Sequence, residues 1–177
     1  GVVFTKVDSP EAASTVPNFI HDLPNYHAGN NATGVSPDQD IHALLSDMVY
    51  GLQEESTHSA IFLTGLTPGE TYNLRLYMRS WFQGDSRWIN MGFDNGYSME
   101  FDEQFLLKAD DARVLPVGLD REDHAYILSY TYVAANTGEL RVVFDPLDTG
   151  HTLHLYGLSN EQPSAARFLT AGFTMRP

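Results

Sequence analysis

Apolar and polar side chains alternate along residues 71–82, which is the strongest pattern in the chain. One parity carries Tyr72, Leu74, Leu76, Met78 and Phe82, and the other carries Asn73, Arg75, Tyr77, Arg79 and Trp81. Because successive side chains of a strand point to opposite faces, the pattern predicts a strand with one core face and one solvent face. The predicted solvent face holds large rings and guanidinium groups, where short polar residues would suffice.

Similar strand patterns, separated by turns rich in Gly, Pro and Asn, recur through most of the chain. They cover residues 2–7, 59–63, 87–93, 97–101, 124–134, 139–144, 152–158 and 167–175. Residues 106–121 fit no clear pattern, and residues 17–34 form a long polar stretch. Many short strands joined by tight turns predict an all-β fold, a two-sheet β-sandwich of the jelly-roll or galactose-binding-like type.

One segment has helical periodicity. Ser36 and Pro37 suit the cap and the first position of a helix. Apolar side chains then recur at i, i+3, i+4 and i+7, namely at Ile41, Leu44, Leu45 and Met48. The sequence therefore predicts one short helix near residues 37–50, packed on the β core.

Composition limits the class of partner and the compartment. The 177 residues carry a formal net charge of −13 at pH 7, which argues against nonspecific binding of nucleic acid. No apolar run approaches the ~20 residues of a membrane helix, so no membrane association is expected. The acidic, lysine-poor composition favours a secreted, extracellular protein. The length fits a single module over residues 1–177, and the abrupt start at Gly1 indicates excision from a larger multidomain protein.

Metal chemistry is limited to calcium. Cysteine is absent, and the histidines show no His-x-His or His-x-x-x-His pair, so a zinc site is not expected. Hard oxygen ligands for a structural calcium ion are available at Asp38, Asp40, Asp94 and Asp145. The same residue types are ordinary turn formers, so the calcium site stays open.

Catalytic patterns are weak. A glycosidase needs two carboxylates that face each other at ~5–10 Å, and the adjacent acids of this chain fall in predicted loops. A polysaccharide lyase would need Arg, His and Tyr side chains to converge, and the candidates are Arg75, Arg79, His154 and Tyr156. No nucleophile elbow, phosphate loop or dinucleotide fingerprint occurs. We therefore expect no enzymatic activity and no catalytic cofactor.

Two known kinds of domain resemble parts of this sequence. The pattern Leu63-x-Gly65-Leu66-x-Pro68-Gly69-x-x-Tyr72 resembles the corner of fibronectin type III domains, which are much shorter. Residues 126–132, 140–144 and 153–160 are more similar to the core strands of jelly-roll carbohydrate-binding modules. Such modules are attached to secreted bacterial polysaccharide-degrading enzymes. The resemblance covers residues 59–160, and it implies a noncatalytic sugar-binding function.

Candidate ligand-binding residues follow from sugar chemistry. The C–H face of a sugar ring stacks on an aromatic ring, and its hydroxyls need fork-like donors and acceptors. The central candidates are Tyr77, Trp81, Arg75 and Arg79. Further candidates are Arg87, Trp88 and Tyr97 at the adjoining turns, and His154 and Tyr156 on the last strand. Tyr126, Tyr130 and Tyr132 share a face with Leu128, so we expect them in the core.

The sequence thus favours a noncatalytic carbohydrate-binding module. We expect a monomeric, secreted bacterial accessory domain that binds a polysaccharide or oligosaccharide and targets an attached catalytic domain to it. One alternative is a surface or adhesion module that binds protein through the same strand. Another is a jelly-roll polysaccharide lyase or glycoside hydrolase.

Overall fold

The computed structural model describes residues 17–27, 44–51, 59–79, 87–95, 114–119, 125–146 and 153–163, and these residues form ten strands. In chain order the strands are β1 (Phe19–His21), β2 (Asn25–His27), β3 (Met48–Tyr50), β4 (Ser59–Leu63), β5 (Thr71–Met78), β6 (Arg87–Asp94), β7 (Val114–Leu119), β8 (Tyr126–Val133), β9 (Leu140–Pro146) and β10 (His154–Glu161). No helix in these ranges has the length and apolarity needed to cross a membrane.

The strands form two antiparallel sheets of five strands each. Sheet A has the order β1-β4-β9-β6-β7, and sheet B has the order β2-β3-β10-β5-β8. Strands that are distant in sequence are neighbours in both sheets, as β5 and β10 show in sheet B. The predicted all-β fold with two packed sheets is confirmed.

The inner faces of the two sheets enclose one main core. On β5 the side chains of Leu74, Leu76 and Met78 are all 0% exposed, which confirms the predicted phase of this strand. Val142 and Leu155 are also buried, as predicted. Leu128 is only partly buried, although it packs against the same core, because β8 lies at the end of sheet B.

A row of stacked aromatic rings joins the two sheets. Tyr72 stacks on Tyr132 at 5.8 Å between ring centroids, and Tyr132 stacks on Tyr130 at 5.7 Å. Tyr130 in turn stacks at 4.0 Å on Phe93, which belongs to sheet A. Offset stacking of this kind adds about 0.5–1.5 kcal/mol per pair beyond area burial. These tyrosines pack in or against the core, as the sequence predicted, and so does Tyr126.

The hydroxyl of Tyr72 closes the Pro-Gly corner. It accepts a hydrogen bond from the backbone amide of Thr67 at 3.0 Å and one from the side-chain amide of Gln162 at 3.2 Å. The amide of Thr67 lowers the pKa of Tyr72, because a donated hydrogen bond favours the phenolate. The corner is therefore tied to both β5 and the residues that follow β10.

The turn after β8 packs directly on this corner. The amide of Leu66 donates to the carbonyl of Gly138 at 3.0 Å. Gly138 has φ +66°, and a Cβ atom there would lie 2.8 Å from the carbonyl oxygen of Leu66. Only glycine fits this close approach of two backbones.

The helix prediction is wrong from Met48 onward. Residues 48–50 form β3, which pairs with β2 and β10, and helical geometry within residues 44–51 occurs only at Leu44. Val49 packs against the main core, whereas Met48 belongs to a separate cluster on the other face. The side chains of this segment therefore alternate between two faces, as in a strand. Pairing with β2 and β10 overrides the helical spacing of its apolar residues.

Other strand boundaries also differ from expectation. The polar stretch at residues 17–34 contains β1 and β2, and the unassigned segment at residues 106–121 contains β7. The strand predicted to reach residue 82 is described as far as Met78. The predicted strands at residues 2–7, 97–101 and 167–175 lie outside the described residues.

Truncation of a core side chain on β5 should destabilise the fold strongly. Leu76→Ala should lower the free energy of unfolding by ~2–5 kcal/mol, because Leu76 is 0% exposed and the change leaves a cavity. The matched control is Ile20→Ala, since Ile20 is 54% exposed on β1 and its loss should cost less than about 1 kcal/mol. Urea denaturation of both variants measures the difference, and equal costs would contradict the assigned strand phase.

The stacked row should also produce an alkaline loss of stability. Burial raises the pKa of Tyr132 to about 12 from the model-compound value of 10.0. The folded state therefore favours the neutral phenol, and this contribution is complete below pH 10 and is lost as pH rises toward about 12. Tyr132→Phe should lose its hydrogen bond to Asn160, at a cost of about 0.5–1.5 kcal/mol near neutral pH. It should also flatten the alkaline decline, and an unchanged decline would show that Tyr132 does not cause it.

Candidate functional site

Three strands of sheet B present a continuous outer surface. Because the even-numbered residues of β5 point into the core, Asn73, Arg75 and Tyr77 point outward, and all three are partly exposed. The strand register places outward-facing residues of β10 and β8 beside them. This surface, called the β5 platform below, consists of Asn73, Arg75, Tyr77, Ser159, Glu161, Ile127, Ser129 and Thr131, of which Ser159 is buried at 8% exposed.

Tyr77 is the aromatic residue of the β5 platform, and it is partly exposed. Its register partner on β10 is Gly157, which has no side chain to cover the ring from that side. Its partner on β8 is Ile127, which is 59% exposed. An aromatic ring between a glycine and an exposed aliphatic side chain provides an apolar surface on which a flat ligand can stack.

Arg75 is the cation of the β5 platform. Its register partners are Ser159 and Ser129, whose short side chains leave room around the guanidinium group. One guanidinium nitrogen lies 3.4 Å from a carboxylate oxygen of Glu161, and the two side chains are 30% and 36% exposed. A partly exposed pair with a single contact at this distance contributes about 0–1 kcal/mol. Arg75 can therefore exchange this contact for a ligand at little cost.

Arg79 is not part of the platform, contrary to the sequence expectation. Arg79 directly follows β5, which ends at Met78, and it lies beside the cluster of Tyr156, Leu45 and Met48 that covers this part of the outer face of sheet B. Arg79 is 5% exposed, and its guanidinium carbon lies 5.6 Å from the ring centroid of Tyr156. A desolvated cation over a tyrosine ring is a stabilising arrangement.

A β-bulge in β10 explains the position of Tyr156. Leu155 pairs with Met78 and Gly157 pairs with Tyr77, so Tyr156 is an extra residue between two consecutive pairs. It lies in a small cluster with Leu45 and Met48, and it is 7% exposed. The bulge therefore separates a buried end of β10 from the open end that flanks the β5 platform.

His154 is buried in the same region. It is 2% exposed and makes an edge-on contact with Tyr50, its register partner on β3, at 5.8 Å between centroids. The sequence pattern predicts that His154 and Tyr156 lie beside Tyr77 if β10 and β5 are neighbouring strands. The strands are neighbours, but both side chains are buried, and they contribute no accessible surface.

Trp88 lies on the opposite side of the sandwich. Ile89, Met91 and Phe93 of β6 are buried in the core, so Trp88 points away from the core on sheet A, where it is 47% exposed. It cannot line one site with Tyr77, which lies on the outer face of sheet B.

The other aromatic and cationic candidates are not placed. Trp81 and Tyr97 lie outside the described residues, as does the side chain of Arg87, and all three stay predictions.

The calcium candidates do not form one site among the described residues. Asp94 pairs with Arg141, whereas Asp145 pairs with Asn90, so the two acids lie four strand positions apart, or about 13 Å. No group of three or more His, Asp or Glu side chains in the described ranges is close enough to hold a metal ion. Asp38 and Asp40 lie outside those ranges, so a calcium site involving them stays a prediction.

Several platform residues were not predicted from the sequence. Ser159 and Glu161 lie beyond the strand predicted over residues 152–158, and Ile127, Ser129 and Thr131 are not among the aromatic and cationic side chains that indicate sugar binding. The outward direction of Ile127, Ser129 and Thr131 is predictable from the sequence, because these residues alternate along β8 with the tyrosines expected in the core. No signal in the sequence indicates that β10 lies next to β5.

Comparisons with known proteins agree on the fold. No protein-family model matches the chain, and neither does any curated protein sequence. Among solved structures, the extracellular domain of ANXUR2 from Arabidopsis thaliana is 14% identical, with a TM-score of 0.54 over 82% of this chain and 41% of that chain. The carbohydrate-binding module TmCBM61, solved with β-1,4-galactotriose, is 11% identical, with a TM-score of 0.49 over 92% of this chain and 100% of that chain.

A further similar structure is the CBM35 from Cellvibrio japonicus Abf62. It is 11% identical, with a TM-score of 0.45 over 82% of this chain and 94% of that chain. At these identities the similarity concerns the fold alone.

The burial of Tyr156 can be tested by its cost to stability. Tyr156→Ala should lower the free energy of unfolding by about 3–5 kcal/mol, because it removes a large buried ring and exposes Leu45, Met48 and Arg79. Thermal and urea denaturation measure the loss. A variant as stable as the parent would contradict the cluster and return Tyr156 to the list of surface residues.

Proposed function

We propose that this chain is a noncatalytic module that binds carbohydrate on the β5 platform. The observation that carries the proposal is the setting of Tyr77. Its ring lies on the outer face of a strand that has a neighbour on each side, beside a glycine on one side and an exposed isoleucine on the other. The axial C–H groups of a pyranose can stack on such a ring, because they are apolar and meet its electron-rich face.

The groups around Tyr77 supply what the sugar hydroxyls need. Arg75 donates, Glu161 accepts, and Asn73, Ser129 and Thr131 can do both. These side chains lie on three adjacent strands, about 4.8 Å apart, but Asn73, Glu161 and Thr131 lie four strand positions from Tyr77, about 13 Å, so they can reach only further sugar units of the same ligand. An extended surface of this kind fits several linked sugar units better than a single monosaccharide.

Arg75 favours acidic sugars within this class. A guanidinium group pairs with the carboxylate of a uronate or with a sulfate through two parallel hydrogen bonds. Its present contact with Glu161 is exposed and weak, so a sugar carboxylate can replace it. The net charge of −13 opposes a polyanion, which keeps this preference weak. Added salt screens the attraction between the guanidinium group and the sugar carboxylate, so it should weaken the preference without abolishing binding.

The cellular role follows from the sequence expectations. We propose that the module is secreted and targets an attached catalytic domain to its polysaccharide. In the described residues Arg75 is the only cation of the platform, while Arg79, His154 and Tyr156 are buried together away from it. This separation disfavours the lyase alternative, which needs Arg, His and Tyr to converge on the ligand.

The proposal predicts that Tyr77→Ala weakens glycan binding by about tenfold or more. Loss of one stacking ring costs on the order of 1–3 kcal/mol on comparable nucleic-acid surfaces, and 1.4 kcal/mol corresponds to tenfold in affinity. Affinity electrophoresis on a panel of neutral, uronate-containing and sulfated polysaccharides identifies a ligand, and calorimetry then measures the variant. The reducing-end assay on the same panel should show no turnover.

Trp88→Ala is the matched control, because Trp88 is an exposed aromatic residue on the other sheet. It should bind as the parent does. If Trp88→Ala loses binding and Tyr77→Ala retains it, the site lies on sheet A and the proposed surface is wrong. If no polysaccharide or oligosaccharide binds at all, the function itself is wrong.

A further inference from the structure

The edges of the two sheets differ in how well they are protected against pairing with another chain. In the described part of the chain, the edge strands β1 and β2 are three residues long, and the edge strand β7 contains Pro116. Short strands and prolines are the usual protections of an edge. The fourth edge strand, β8, has eight residues, Tyr126–Val133, with no charged residue, proline or glycine.

Backbone amides and carbonyls of β8 point away from β5, along the free edge of sheet B. The carbonyl of Ala134 accepts from Gly69 and its amide donates to Glu70, so the backbone of Ala134 faces the chain that leads into β5. The carbonyl of Val133 points the other way and accepts from the side-chain amide of Asn95, whose oxygen accepts from the amide of Ala135 at 3.1 Å. A partner strand at this end of β8 must therefore displace the side chain of Asn95. Because backbone direction alternates along an antiparallel strand, the amides and carbonyls of Ile127, Ser129 and Thr131 also point away from β5.

The same residues are exposed through their side chains. Ile127 and Val133 are 59% and 53% exposed, and Ser129 and Thr131 between them are exposed as well. A long, uncharged edge with exposed β-branched side chains is a template for a further strand.

We propose that a second copy of this chain pairs with this edge, so that β8 lies antiparallel to β8 of the partner around a twofold axis at Tyr130. The sequence of β8 favours this occupant over an unrelated strand because it is chemically palindromic. In this register Ile127 faces Val133 of the partner subunit, and Ser129 faces Thr131 of the partner subunit. Apolar residues meet apolar residues, and hydroxyls meet hydroxyls.

Charge also favours self-association at this edge over other faces. The chain has a net charge of −13, so two copies repel each other over most of their surface. A strand without charged residues is where that repulsion is weakest. The proposal revises the monomer expected from the sequence.

The register can be measured with spin labels, because the chain has no cysteine and each introduced cysteine is unique. In the proposed dimer of the full chain, labels at Ser129→Cys lie on diagonal neighbours, whose backbone positions are about 7–8 Å apart. Labels at Val133→Cys lie six strand positions apart, or about 20 Å. Electron paramagnetic resonance should therefore give strong dipolar broadening for the first variant and a longer distance for the second. The reverse order, or equal distances, would overturn the register.

The association itself is tested by a charge at the edge. Thr131→Lys places two lysines near the twofold axis, and sedimentation over a concentration series should show dimerisation weakened by about tenfold or more, which is about 1.4 kcal/mol. Thr137→Lys, the same change in the exposed turn after β8, is the control and should dimerise as the parent does.

Three results would overturn the proposal. One is a parent chain that stays monomeric at all concentrations reached. Another is a dimer that Thr131→Lys leaves intact. The third is equal weakening by both lysine variants, which would indicate a general charge effect. Unfolding curves of both variants confirm that they are folded before they are compared.

If the Thr131→Lys variant does not fold, Ser129→Pro provides the second test. The amide of Ser129 points away from β5, so proline removes a hydrogen-bond donor that sheet B does not use. The proposal does not depend on carbohydrate binding. A dimer without glycan binding would leave it standing and remove only the proposed function.

Discussion

The burial of the apolar side of β5 is the constraint on which the rest of the structure depends. Because Leu74, Leu76 and Met78 are completely removed from water, a shift of the strand by one residue would expose all three and bury Arg75. The same phase therefore fixes the outward direction of Tyr77. The candidate ligand surface is therefore the outward face of the same strand whose inward face forms part of the hydrophobic core.

The bulge in β10 divides the outer face of sheet B into two parts with different roles. On one side of the extra residue, Tyr156 and its neighbours form a second small core beneath Leu45. On the other side, Gly157 and Ser159 leave the neighbouring side chains of β5 uncovered. One additional residue thus converts a continuous sheet face into a covered region and an accessible one.

The sequence predicted the architecture more completely than the site. Alternation is a local property, so β5 and the core tyrosines of β8 could be assigned from their own residues. The burial of Arg79 depends on its contact with Tyr156, and the position of Tyr156 depends on a bulge, neither of which alternation records. The segment near Met48 has helical spacing, yet pairing with β2 and β10 decides its conformation. Neighbours distant in sequence, such as Ser159 beside Arg75, are set by topology alone.

The packing of Gly138 against Leu66 has a consequence for how this fold can vary. The two connections at that end of the sandwich touch through their backbones, and the carbonyl of Gly138 is already engaged by Leu66. Lengthening the turn after β8 would break this contact, and lengthening the corner would also break the hydrogen bond from the amide of Thr67 to Tyr72. Insertions, circular permutation and grafted sequences should therefore be poorly tolerated in these two connections.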